Sequence, residues 1–535
     1  MAAGAATERL RERLLGPRPS PTEALWAWLG PLIAMAVGGF LRFWHLGRPH
    51  QLVFDETYYV KEGWSLILYG HERRVPDSLK HPDRLFTNGT PDVFGTQPDM
   101  VVHPPIGKWV IGAGEALLGI NNSVSWRFGV CVLGTLSILL LGRVAWRLFR
   151  SATLATIAAT LLALEGNHFV HSRTGLLDLT LMFWALAGFA ALLVDRDRSR
   201  EVLARKVGAI WEAGGRHAAR IARGPRGDLQ YGPFLGWRPW TWVAGLCLGL
   251  SASTKWSGVF FLAAFGLMRV FWDMGARRAA GVRRWRTGAV LKDGVLAFVA
   301  TVPVSVVVYL VSWTGWFRST DGYDRQWAAE HPAAGPGWVP DALISFWQYT
   351  KETYSFHVGL TTPHTYQSNP WSWLIMGRPT SFFYESPRQG HDGCVVEQCS
   401  KAITNLGTPS IWWGATAGLL VVVFMWALRR DWRAGAILAG LAAGWLPWFH
   451  WQERTIFTFY AVAFVPYVVL ICTYCLGLGI GPPDATRQRR RWGMAAAGSF
   501  VVLTAAMFAF FYPVWTAEVI PFSHWQWRMW FPSWV

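Results

Sequence analysis

The sequence predicts an all-α polytopic membrane protein, a bundle of about eleven transmembrane helices with two large outer loops. Three observations predict it. Of 535 residues, 52% are hydrophobic and only 16% charged, against about 25% charged in a typical soluble domain. Long apolar runs recur along the whole chain, and mean hydropathy is +0.22. The net charge of +17 is carried mostly between those runs, which is a membrane pattern. Nucleic-acid binding would need a basic face on a soluble fold, so no nucleic-acid partner is expected. Disorder is excluded by the same apolar content.

A spanning helix needs about 20 apolar residues. Residues 1–25 are polar, with no small-residue cleavage site after the first apolar run, so no cleavable signal peptide is expected. Eleven runs then follow at 26–45, 128–148, 152–170, 177–194, 239–254, 256–273, 294–313, 409–428, 434–450, 456–479 and 493–512. The run 106–120 is shorter and carries Lys108 and Glu115. Loop charge decides its reading. With eleven spans and the N-terminus inside, the inner segments collect 30 of the 50 basic residues beside twelve acidic ones, and the outer side holds about 19 basic and 21 acidic. A twelfth span at 106–120 would turn nearly all the basic loops outward, against the positive-inside rule. That run is therefore read as a helix lying flat at the interface.

These spans make 26–512 one membrane domain in the cell membrane. A cytoplasmic segment, 1–25, precedes it and an outer tail, 513–535, follows. The outer loops 46–127 and 314–408 are long enough to be functional. The Arg-rich inner stretch 195–238 is expected to be a solvated loop. Cys131, Cys247, Cys472 and Cys475 lie in apolar runs and read as inert core residues. Cys394 and Cys399 alone lie in a polar outer segment. Their spacing can close a short loop, so they are expected to form a disulfide where the outside is oxidising.

Charges at the outer surface carry the functional signal. Asp55-Glu56, set among Phe54, Tyr58 and Tyr59, can supply a general base or metal ligands, or simply cap a helix. His103 and Lys108 flank Pro104-Pro105 at a helix start and can hold an anion there. Arg127, at the outer end of the second span, can snorkel or bind a lipid phosphate. Arg173 and Asp178 flank the start of the fourth span and can pair with each other; Lys255 and Arg454 stand on short outer turns. Six such clusters on one side weigh more than any one of them. No P-loop and no zinc-type Cys/His spacing is present. A transporter would place its charges near the membrane midplane, whereas these gather at one surface.

With those residues assembled, the chain resembles the protein O-mannosyltransferases, the dolichyl/polyprenyl-phosphate-mannose–protein mannosyltransferase family. The resemblance rests on Asp55-Glu56, His103-Pro-Pro-Ile-Gly-Lys108, Arg127, Ser172-Arg173-Thr-Gly-Leu-Leu-Asp178 and Ser253-Thr-Lys-Trp-Ser-Gly258. It continues in Asn369-Pro-Trp-Ser-Trp373 with Arg378-Pro379, and in Met529-Trp-Phe-Pro-Ser-Trp534. An Asp-Glu pair alone is common to many lipid-phosphate-sugar transferases; the combination is specific. It implies a GT-C fold with its active site at the outer face. Eukaryotic members carry MIR repeats in the second large outer loop, and 314–408 is too short for them. The chain therefore resembles the bacterial branch.

The resemblance implies transfer of mannose from polyprenyl-phosphate mannose to Ser or Thr hydroxyls of acceptor proteins, proteins in the course of export among them, with membrane lipids around the enzyme. The departing phosphate is a weak base, so the reaction needs a cation to hold it and a base for the hydroxyl, not a general acid. On the resemblance, Asp55 is the base, with Glu56 orienting it or the acceptor. Arg127 is the first choice for the phosphate, with Lys108 and His103 helping and Arg173 and Arg454 as further choices. Asp178 and Lys255 are additional candidates. No cofactor is demanded and no metal ligand set is assigned, because Arg and Lys can supply the positive charge; a divalent metal stays possible. One base and one displacement imply inversion, from a β-linked donor to an α-linked product. The alternatives are a transferase of the same donor class acting on a glycolipid, polysaccharide or lipid, and, in another class, a lipid or sugar transporter.

Overall fold

The structure is a computed structural model and describes residues 4–214 and 229–535. Helices α1 (Ala5–Leu15) and α2 (Pro21–Phe43) open the chain. The start of α2 is set locally: Ser20 Oγ accepts the Glu23 amide at 3.2 Å, and Pro21 occupies the first helical position, where no amide is needed. Helices α3 (Glu56–Tyr69), α4 (Ile106–Leu118), α5 (Ser123–Phe149), α6 (Ala152–Ala163), α7 (Gly166–His171) and α8 (Asp178–Gly214) follow. The second half holds α9 (Pro239–Ala252), α10 (Gly258–Ala279) and α11 (Trp285–Ser312). After these come α12 (Asp341–Gly359), α13 (Pro409–Ala427), α14 (Trp432–Trp445), α15 (Thr458–Ile480) and α16 (Arg487–Phe511).

All eleven expected apolar runs are helical. Eight helices among the described residues are long and apolar enough to cross a membrane, and the protein is a multi-pass membrane protein. The other three runs fall on the shorter helices α6, α9 and α14. The expected continuous run 152–170 is broken at Glu165. Its carboxylate caps α7, accepting the His168 amide at 2.6 Å, and also accepts the Trp412 indole of α13 at 2.8 Å. A buried acid with four N–H partners is satisfied without a counter-ion.

The stretch 195–238 is not a solvated loop as far as it is described. Helix α8 runs on to Gly214 and packs against α1. Asp195, Asp197, Arg196, Arg200 and Arg238 are buried. Arg238 binds Asp195 and Asp273, and Arg147 and Arg150 converge on Asp197 at 2.9 and 2.6 Å. Pairing is what permits those charges to be buried. Residues 215–228 of the expected loop lie outside the described residues.

The 513–535 segment is folded in rather than trailing. Strand β3 (Val519–Pro521) pairs antiparallel with β2 (Cys399–Asn405), which pairs antiparallel with β1 (Thr380–Glu385). The Trp534 indole donates to the Met376 carbonyl at 2.8 Å, and Arg378 donates to the carbonyls of Ser533 and Val535 at 2.7 and 2.6 Å. Two separated motifs, Arg378 and 529–534, thus meet. Cys394 and Cys399 are bonded to each other, closing the turn that leads into β2. This small sheet sits at the Asp55 end of an otherwise helical bundle.

Candidate active site

The chain leaving α2 must reach Asp55 by an irregular path, and irregular backbone needs partners for its carbonyls. Two buried arginines supply them. Arg173 donates to the carbonyls of Leu41, Arg42, Trp44 and His45 at 3.3, 2.5, 2.7 and 2.9 Å, closing the C-terminal end of α2. Arg127 donates to the carbonyls of Leu46, Pro49 and Gln51 at 3.2, 3.1 and 3.1 Å. Its remaining N–H groups meet both oxygens of Glu56, each at 2.8 Å. The Glu56 carboxylate also accepts the amides of Val53 at 3.0 Å and Gly175 at 2.7 Å. Arg127 and Glu56 are both fully buried.

These contacts already engage the arginine expected first for the phosphate. Arg127 has no donor to spare, and Arg173 is occupied with carbonyls. Lys108 is wholly buried between Glu62 at 3.0 Å and Glu72 at 2.8 Å. Glu56 likewise has both carboxylate oxygens engaged. Tight packing of α3 on α4 explains the Lys108 burial: a Cβ at Gly112 would stand 2.5 Å from the Gly63 carbonyl oxygen. Arg173 does not pair with Asp178 either; Asp178 pairs with Lys255 at 2.7 Å.

Asp55 stands apart from that network. It occupies the cap position of α3, yet its side chain makes no capping hydrogen bond. Phe54 before it has φ 52°, a left-handed conformation that costs a non-glycine residue free energy. The conformation is held from outside, by stacking of Phe54 on Phe382 of β1 at 4.6 Å and an edge contact with Phe459 at 5.3 Å. Burial pushes the Asp55 carboxyl up to about 6, and Asp178 and Glu62 add to this. Lys255 and a hydrogen bond from Tyr59 pull the other way. A carboxylate with such a pKa is basic enough to take a proton and still ionised near neutrality.

Asp178 and Lys255, whose charges act on Asp55, help line a cavity of ≈ 200 Å³. His103, Asp178, Lys255, His357 and Arg454 give it polar walls; Phe260, Phe261, Trp448, Trp451 and Tyr460 give apolar ones. Arg454 Nη2 donates to His357 Nδ1 at 3.2 Å, so His357 carries its hydrogen on Nε2 and donates it to the Val102 carbonyl at 2.8 Å. Burial and the Arg454 charge lower the His357 pKa to about 4, so the ring is neutral. His103 stacks on it at 5.2 Å and is held well below its usual value, first by burial and then by Lys255. The Arg454 Nε is buried with no partner. Arg454 as a residue lines the cavity and presents a cation to it. Among the described residues no group of three His, Cys, Asp or Glu side chains gathers as a metal site.

Of the expected residues, Asp55, Asp178, Lys255, His103 and Arg454 come together; Glu56, Arg127, Lys108 and Arg173 stand behind them. His357, Tyr460 and the tryptophans of 445–451 were not expected. The Trp-rich stretch Trp445-Leu-Pro-Trp-Phe-His-Trp451 was a signal for the latter. His357 has no local motif; it is 97 residues from Arg454 in sequence. A larger apolar groove, ≈ 830 Å³, lies further along α10 at Ala264, Leu267 and Phe271, with α13 and α14 on its other side.

Residues 32–211 match the family described as dolichyl-phosphate-mannose-protein mannosyltransferase. Residues 342–534 match the C-terminal four-transmembrane region of protein-O-mannosyltransferase. A polyprenol-phosphate-mannose–protein mannosyltransferase of Mycolicibacterium smegmatis is 35% identical over 530 residues, 97% of this chain and 95% of the relative. The chain belongs to the protein O-mannosyltransferase family. The Mycobacterium tuberculosis relative of the same description is also 35% identical, over 96% of this chain and 93% of its own. Among solved structures, the Saccharomyces cerevisiae Pmt1–Pmt2 complex bound to the sugar donor superimposes with TM-score 0.69 at 14% identity, covering 99% of this chain and 94% of that one. The fold of this protein O-mannosyltransferase family member is therefore the GT-C fold of that enzyme.

Proposed function

We propose that this protein transfers mannose from polyprenyl-phosphate mannose to Ser or Thr hydroxyls of proteins at the outer face of the membrane, with inversion. One observation supports the reading most: the Asp55 carboxylate makes no capping bond and feels the charges of Asp178 and Lys255, which together with Arg454 line the cavity. In this reading Asp55 takes the hydroxyl proton as oxygen attacks the anomeric carbon. Arg454 and Lys255 hold the phosphate as the glycosidic oxygen leaves with its electron pair. Charge on that phosphate grows along the reaction, so fixed cations aimed at it stabilise the transition state more than the ground state. The apolar groove along α10 suits the hydrocarbon of the donor. The outer location rests on the basic bias of the opposite loops.

The test is incubation of the purified chain with labelled polyprenyl-phosphate mannose and a Ser/Thr-rich peptide. Label in the peptide, releasable by an α-mannosidase, supports the reading. Label in a glycolipid with an unmodified peptide moves the acceptor to another class. Flux of donor across vesicles with no covalent product makes the chain a transporter.

A further inference from the structure

At the end of the bundle opposite Asp55, α2, α6 and α16 begin and α5 and α15 end. Between them lies a second polar cavity of ≈ 630 Å³. Five arginines line it, Arg18, Arg150, Arg433, Arg489 and Arg490, against one carboxylate, Glu23. Glu23 is engaged, accepting the Ala152 amide at 2.7 Å. Arg150 and Arg433 lean on Asp197 and Asp431, each at 2.6 Å, and Arg18 reaches Glu8 at 3.3 Å.

Arg489 and Arg490 differ. They donate to the carbonyls of Leu478 and Pro482 at 3.1 and 3.3 Å, and among the described residues neither pairs with a carboxylate. The chain is shaped to bring Arg489 in. Gly481 has φ +81°, and a Cβ there would lie 2.9 Å from Arg489 Nε. Phe149, Leu154, Leu478 and Met494 give the wall an apolar part, beside the hydroxyl residues Ser20, Ser151, Thr153 and Tyr474. Concentrated positive charge over an apolar wall, at the end of a membrane bundle, matches one chemistry: a phosphate that carries hydrocarbon.

We propose that this cavity binds the phosphate of an anionic phospholipid from the leaflet opposite the Asp55 site. Arg489 and Arg490 hold the phosphate, and the apolar wall takes the glycerol and first methylenes. Free phosphate would use only half of the cavity, and a zwitterionic lipid would bring its own cation against five arginines.

The test uses the full chain, delipidated in neutral detergent, with phosphatidylglycerol, phosphatidylcholine or inorganic phosphate as probes. Native mass spectrometry and thermal melting are the readouts. One phosphatidylglycerol should be retained per chain and raise the melting temperature, with phosphatidylcholine at least about tenfold weaker. Arg489→Ala/Arg490→Ala should lose roughly tenfold in phosphatidylglycerol affinity, while its lipid-free melting and its mannosyl transfer in detergent stay those of the parent. Arg490→Gln alone should show a smaller loss, should the double variant melt early. Equal retention of phosphatidylglycerol by parent and variants overturns the proposal, as does equal binding of phosphatidylcholine. Protection by inorganic phosphate equal to that by phosphatidylglycerol also overturns it, making the ligand a free anion. None of these outcomes depends on the transfer reaction proposed above.

Discussion

Arg127 and Arg454 are both arginines at the Asp55 end of the bundle, and they do opposite things. Arg127 has every donor satisfied by Glu56 and three carbonyls. Arg454 leaves Nε buried and unmet, with one Nη bond to a neutral histidine. A guanidinium whose hydrogen bonds are complete is part of the scaffold. One left incomplete beside a cavity has hydrogen bonds still to place. Burial alone would rank them the other way, because Arg127 is the more deeply buried of the two.

Substitution separates the two roles. Arg127→Ala should have the largest effect, on folding. It strands the Glu56 carboxylate in the interior, which typically costs about 3–5 kcal/mol, and frees three carbonyls of the loop. The expected result is a lowered melting temperature and poor recovery from membranes. Arg127→Ala/Glu56→Ala should recover part of the loss. A stable Arg127→Ala protein with only a raised donor KM would return Arg127 to the phosphate.

Asp55→Asn should leave melting unchanged and lower transfer by about 10²–10⁴-fold, the usual consequence of removing a general base. Near-parental transfer would remove Asp55 from the mechanism. Arg454→Ala should come next, raising donor KM and lowering kcat together without loss of stability; Arg454→Lys should restore only part, since one flexible ammonium replaces a fork.

The pH profile sharpens the contrast further. Asp55 acts as a carboxylate, so kcat/KM should fall as pH drops below about 6, where burial holds its pKa. Lys255 stabilises the charged form, so Lys255→Met should move this acid limb to higher pH; Asp178→Asn removes a like charge and should move it lower. An acid limb unmoved by both changes would belong to another group. Smallest of all, Cys394→Ser/Cys399→Ser should insert normally with a modest drop in melting temperature, since so short a loop stabilises by about 2 kcal/mol in chain-entropy terms. Two alkylatable thiols in the fresh parent protein would remove the bond.

The residue types at the site were legible in the sequence, but their partners were not. Asp55, Asp178, Lys255 and Arg454 each stand out as a charge near an apolar run. Nothing local distinguishes them from Lys108 or Arg127, because the discriminating fact is a contact over long sequence separation. Glu56 and Arg127 are 71 residues apart. The bundle itself was readable from hydropathy, because burial in lipid demands long apolar runs. The breaks in it were not: Glu165 interrupts an apolar run by capping α7 through contacts with α13. The small sheet escaped too, its third strand being three residues long.

The left-handed Phe54 ties the catalytic loop to time as well as space. Its conformation is secured by Phe382 and Phe459, which emerge from the ribosome more than three hundred residues later. Vectorial synthesis therefore delivers Asp55 long before the rings that hold its neighbour. While the second half is still being inserted, Asp55 sits on a loop free to relax toward ordinary backbone angles. A chain interrupted before β1 would hold the carboxylate and lack its orientation. If Asp55 is the proposed base, the activity of the chain waits on where two phenylalanine rings were placed.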